Sequence, residues 1–83
     1  MPDYLRKIIV QNPKIHSGIP IIAGTRVTVA EIIDFIEEDH TITDTVRVLK
    51  RAGVLVTPEE VKAALEFAKY RVMDETYSKK ASK

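Results

Sequence analysis

Residue Thr28 divides the chain into two parts of different periodicity, and this change constrains the fold more than any other feature. Before it, Ile8-Ile9-Val10, Ile15, Ile19 and Ile21-Ile22 are punctuated by Pro13, Gly18, Pro20 and Gly24. β-Branched runs cut by proline and glycine predict short extended pieces and turns, not helices. Residues 20–27 read as two short strands around a turn at Gly24. After Thr28 the apolar residues recur three and four apart, the spacing of an amphipathic helix. Thr28-Val29-Ala30-Glu31 is a capping box that starts a helix over about 29–38, with Val29, Ile32, Ile33 and Ile36 on its inner face. A second helix is expected from Thr43 or Asp44. Its stripe is Val46, Leu49 and Ala52, Lys50 and Arg51 suit its last turn, and Gly53 stops it. Thr57-Pro58-Glu59-Glu60 opens a third helix with an N-cap threonine, proline at the first helical position and glutamate at the third. Its predicted buried stripe is Val61, Ala64, Leu65, Ala68 and Val72. Lys62 and Lys69 are placed to pair with Glu66, and fraying is expected between Tyr70 and Tyr77.

These signals predict one mainly α domain. Residues 1–27 form an extended arm with a short β-hairpin, 28–73 a three-helix, helix-turn-helix-like bundle, and 74–83 a flexible basic tail. The second and third helices are joined by Gly53-Val54-Leu55-Val56, a helix-turn-helix length of connection. With 83 residues the core is small. A domain of this size buries only about 60–65% of its unfolded surface, so sharing apolar surface in a homodimer or higher oligomer is expected. The β-branched arm serves either as core on its own helices or as a strand edge that joins two copies.

Charge is segregated although the net charge is only +1. Glu31, Asp34, Glu37, Glu38, Asp39 and Asp44 fall between Thr28 and Thr45 with no Lys or Arg among them, and basic stretches flank this acidic middle. That makes a molecule with distinct faces rather than a uniformly basic nucleic-acid binder. There is no cysteine, which excludes disulfides, thiolate metal sites and a cysteine nucleophile and fits a reducing cytoplasm. The sequence shows neither a signal-peptide pattern nor an apolar run long enough for a membrane span, so a cytoplasmic protein is expected. Ser17, Ser78 and Ser82 lack a base-and-orienter pattern, and His16 and His40 lack converging co-ligands. No enzyme activity, catalytic residue, metal or cofactor is therefore expected.

The stretch Gly18-Ile19-Pro20-Ile21-Ile22-Ala23-Gly24-Thr25-Arg26-Val27, running into Thr28-Val29, resembles the family known as domain of unknown function 433. That family is marked by a glycine, a proline two residues on, apolar residues, and Gly-Thr-Arg-Ile/Val before a helix. Ile9, Asn12-Pro13 and Ile15 resemble its upstream segment, and residues 57–68 are similar to its last helix. The resemblance implies a homeodomain-like helix-turn-helix fold with an extended arm. It also implies an antitoxin role, because members are often encoded beside a PIN-like ribonuclease. The chain departs from the pattern at Asp39-His40, where the family usually has a glycine after its first helix. It departs again at Arg51-Ala52-Gly53-Val54-Leu55-Val56, in place of a short tyrosine-proline ending.

Three groups of residues are candidates for function. Gly18, Pro20, Gly24, Thr25 and Arg26 form the structural motif. Within it Gly24 is expected at positive φ and Thr25 in local hydrogen bonds, while Arg26 either clamps the backbone or a carboxylate or engages a partner. Arg47, Lys50, Arg51, Lys62 and Lys69 are candidate nucleic-acid contacts. Glu59 and Glu60, in the leading turn of the third helix, would repel phosphates there. Glu31, Asp34, Glu38 and Arg71 are candidate partner contacts: the acids could fill a basic RNA groove, or Arg71 could enter a cluster of metal-binding carboxylates. Two functions follow as expectations. One is an antitoxin-like protein that neutralises a PIN-like ribonuclease toxin, with DNA-binding autoregulation. The other is a stand-alone helix-turn-helix regulator.

Overall fold

The computed structural model describes the backbone of residues 1–81 and the side chains of 1–74. The elements are α1 (Asp3–Ile8), β1 (Ile9–Val10), a 3-10 turn (His16–Gly18), β2 (Ile21–Ile22), α2 (Val29–Glu37), α3 (Ile42–Arg51) and α4 (Pro58–Ala81). The mainly α fold, with a short antiparallel hairpin ahead of a helix-turn-helix-like bundle, is the one the periodicity indicates.

The arm differs from the expectation at its start, because residues 3–8 are helical. Asp3 in the first turn and Arg6 and Lys7 in the last suit the helix dipole. An isolated six-residue helix would not persist in water. Here Leu5 is fully buried, and the Tyr4 hydroxyl donates to the Glu66 carboxylate on α4. β1 then pairs antiparallel with β2, Ile9 opposite Ile22 and Val10 opposite Ile21. On its other side Ile21 makes an isolated bridge to Thr28, so the two strands expected around the Gly24 turn reduce to β2 and a single bridge, and the true strand partner is β1. Among the described residues, β2 is thus flanked on both sides, and the hairpin's open edge is the two-residue β1.

The three capping signals act locally. At α2 the Thr28 Oγ1 accepts from the Glu31 amide at 3.0 Å, and the Thr28 amide donates to Glu31 Oε1 at 3.1 Å. At α4 the Glu60 amide donates to Thr57 Oγ1 at 3.1 Å, and the Thr57 amide donates to Glu60 Oε1 at 2.8 Å. At α3 the cap is Thr41 with Asp44, so the helix begins at Ile42, earlier than predicted. An aspartate closes this box, and its shorter side chain makes the longer reach of 3.4 Å.

The core gathers Ile9, Ile22, Val27, Val29, Ile32, Leu49, Val56, Val61, Ala64 and Phe67. Each Ile, Leu, Val or Phe so buried contributes about 1.5–3 kcal/mol. α4 contacts α1, β1, β2, α2 and α3 and is the organising element. Being packed from more than one side, it buries Ala63 and Phe67 beyond the predicted stripe. Leu65 and Ala68 are only half-buried, and Val72 is 62% exposed because the last helix–core contacts lie near Phe67. On α3, Thr45 is fully buried with its hydroxyl donating to the Thr41 carbonyl, whereas Ala52 is exposed. α4 carries on to Ala81, past the predicted fraying. The solvated tail expected over 74–83 falls, apart from the exposed Asp74, on side chains outside the described residues.

Candidate partner-binding surfaces

The signature turn separates into residues that build backbone and one that does not. Gly24 has φ +78°, and a Cβ there would meet nothing within 4 Å, so the requirement is conformational. The Thr25 hydroxyl donates to the Ile22 carbonyl at 2.8 Å and accepts from the Val27 amide at 3.0 Å. The Pro20 carbonyl accepts from the Val29 amide, which ties the arm to the start of α2. Gly18 has φ +86° and accepts from the Gln11 side chain through its carbonyl. Arg26 is exposed and makes no hydrogen bond or ion pair among the described residues, so the clamp is not formed. It stands between two shallow clefts. One, of 420 Å³, includes Val10, Asn12, Ile15 and Ile21. The other, of 490 Å³, includes Gly53, Val54 and Leu55 of the α3–α4 connection. Leu55 is 76% exposed. The fold thus brings the arm's turn beside the helix-turn-helix connection.

The acids of α2 converge. Glu31, Asp34 and Glu38 share a cleft of 260 Å³ with Phe35, a half-buried ring that helical spacing alone does not single out. Spacings of three, four and seven residues put them along one side of the helix. Glu31 is also engaged in the Thr28 capping box, so Asp34 and Glu38 are the free carboxylates of the stripe among the described residues. α2 ends with Asp39 at φ +68° and the His40 ring edge-on to Phe35, centroids 5.5 Å apart. That contact backs the acidic face from beneath. His16 is exposed, and among the described residues no three His, Asp or Glu side chains gather as metal ligands.

The cations are distributed differently. Arg47, Lys50 and Arg51 are exposed along α3, and Arg47 pairs with Asp44 at 3.4 Å. Lys62 and Lys69 are exposed on α4, but neither forms the predicted pair with Glu66, which is held by Tyr4 instead. That hydrogen bond is the first cause that raises the Tyr4 phenol above its ordinary value of 10.0; burial and the Glu66 and Tyr70 charges add to it. At the head of α4, Glu60 is used in the cap and Glu59 is exposed. Arg71 lies over the Phe67 ring, 5.2 Å from its centroid, and donates to Gln11 Oε1 at 2.9 Å. Together with Arg6, both line a cleft of 480 Å³. Arg6 and Gln11 were not candidates from sequence: they lie some sixty residues from Arg71, and no local pattern joins them.

Among the described residues no helix is long and apolar enough to cross a membrane. The architecture is that of a small helical domain with helix-turn-helix connectivity between α3 and α4 and a strand-bearing arm. The family described as protein of unknown function (DUF433) matches residues 9–68, from β1 into α4, and the chain belongs to it. No curated protein and no solved structure matches the chain.

Proposed function

We propose that the protein is an antitoxin-like binding partner that pairs with and neutralises a PIN-like ribonuclease, as a cytoplasmic homodimer that also binds DNA for autoregulation. The observation that carries this reading is the α2 face, where Asp34 and Glu38 flank Phe35 in an open cleft. A nuclease groove that holds RNA is electropositive, and an acidic face with an aromatic centre complements it in charge. The family resemblance supplies the toxin class. The test is co-expression with the adjacent gene product, followed by nuclease assay and salt titration of the complex. Inhibition that weakens for Asp34→Lys with Glu38→Lys supports the reading. A stable complex with undiminished nuclease activity refutes it.

The stand-alone regulator is the second reading, and the exposed Arg47, Lys50 and Arg51 on α3 favour it. Helix-turn-helix proteins read bases from the leading turn of the second helix, where this chain has Glu59. DNA contact here is therefore mainly with phosphate, through α3, and steeply dependent on salt. A gel shift on the protein's own promoter at low salt supports this reading, and the absence of one removes it.

A further inference from the structure

We propose that the cleft between α1 and the α4 segment beyond Phe67 is a binding site for a phosphate-class oxyanion, gripped by Arg6 and Arg71. The cleft is 480 Å³ and is lined by Met1, Arg6, Ile9, Gln11, Phe67, Arg71 and Asp74, a volume within the range of small-ligand sites. Arg6 and Arg71 both line it. Arg71 is pre-positioned by the Phe67 ring under it and the Gln11 carbonyl beside it. A guanidinium carries five N–H donors, and Gln11 takes one. Arg6 makes no hydrogen bond or ion pair among the described residues. Asp74 lines the same cleft but forms no ion pair with either arginine among them. Neither cation is therefore neutralised by a carboxylate among the described residues, and Arg71 keeps donors to spare. A planar guanidinium fork matches a tetrahedral oxyanion, which accepts two hydrogen bonds from it.

The site goes beyond the functional reading above and is independent of it. Met1, Arg6, Arg71 and Asp74 lie outside residues 9–68, so the cleft is particular to this chain's two flanking helical segments and not to the family match.

The experiment is a titration of the full chain with inorganic pyrophosphate at constant ionic strength, followed by amide and side-chain NMR shifts. Saturable shifts are expected at Gln11, Ile9 and Phe67. Arg6→Ala and Arg71→Ala each weaken binding roughly tenfold, the loss of a charge-assisted contact. Asp74→Asn tightens it about two- to fivefold by removing a like charge at the rim. Lys7→Ala takes an exposed cation from α1 outside the cleft and leaves binding unchanged. Succinate binding more tightly than pyrophosphate overturns the proposal, as do shifts that never saturate or Lys7→Ala weakening binding as much as Arg6→Ala. Matched oligonucleotides separate the two sources of phosphate. Binding of only the 5′-phosphorylated strand assigns a nucleic-acid end, pyrophosphate binding with neither strand bound assigns a small molecule, and equal binding of both strands overturns the site. Each variant's helical circular dichroism is recorded alongside, and Arg71→Lys, which keeps charge and helix but loses the fork, must still weaken binding.

Discussion

Replacing Asp39 with glycine should make the protein more stable. Asp39 follows α2 at φ +68°. Its amide donates to the Ile36 carbonyl and the His40 amide to the Phe35 carbonyl, both at 3.0 Å, the paired bonds of a Schellman ending. His40 packs edge-on against Phe35, the apolar contact that usually accompanies this motif. The conformation is thus enforced by the motif and not chosen by the residue. An L-residue there costs about 1–2 kcal/mol, at the lower end for aspartate, and glycine removes that while losing about 0.5–1 kcal/mol in unfolded-state entropy. The carboxylate adds a second cost. It sits with Glu37 and Glu38 at the negative end of the helix, worth about 0.3–1 kcal/mol at low salt. Asp39→Gly should therefore gain about 1 kcal/mol, or about 4–8 °C in Tm for a domain of this size. Asp39→Asn, which keeps tolerance of positive φ, should recover only the charge part and lose the advantage in high salt. Asp39→Ala should be less stable than Asp39→Gly by about 1 kcal/mol. Urea and thermal melts followed by circular dichroism, at two salt concentrations and equal protein concentration, read all three. If Asp39→Gly melts no higher than the parent, or Asp39→Ala matches it, positive φ is not what the site costs.

Further outcomes follow from other contacts. Leu5→Ala should cost about 2–4 kcal/mol in urea melts, since Leu5 is fully buried between α1 and α4. Because Tyr4 is raised above 10.0 in the folded chain, its contribution is fully present below that pH and declines as pH rises through the folded value; Tyr4→Phe should flatten this part of the alkaline melt profile. Thr57→Ala and Thr41→Ala should each lose about 1 kcal/mol, since each deletes a 3.1 Å hydroxyl bond from a first-turn amide of its helix. Asp34→Lys with Glu38→Lys should change stability by no more than about 0.5 kcal/mol while slowing association with a basic partner, read by stopped-flow at low salt.

The locally decided features were legible. Thr28 with Glu31 and Thr57 with Glu60 satisfy amides three residues away, so their helix starts are written in tetrapeptides. The Gly24 turn closes through Thr25 and neighbours within three residues. The same logic was available at Thr41 with Asp44, where aspartate in place of glutamate disguised the cap. The candidate site was legible as a list and not as a surface. Asp34, Glu38 and the α3 cations are where helical spacing puts them, but Phe35 among the acids, Arg26 beside Leu55 and Arg71 on Phe67 depend on packing.

From the sequence alone came the family motif, the helix starts, the two-part division at Thr28 and the separation of charge along the chain. Only the folded molecule decided that residues 3–8 are helical, that Phe67 is buried while Val72 is bare, and that Arg6 and Arg71, some sixty residues apart, line one cleft. The reason is range. Caps and turns are set by hydrogen bonds within a few residues, whereas a short helix and a cleft exist only because a distant surface, here α4, removes their apolar side chains from water.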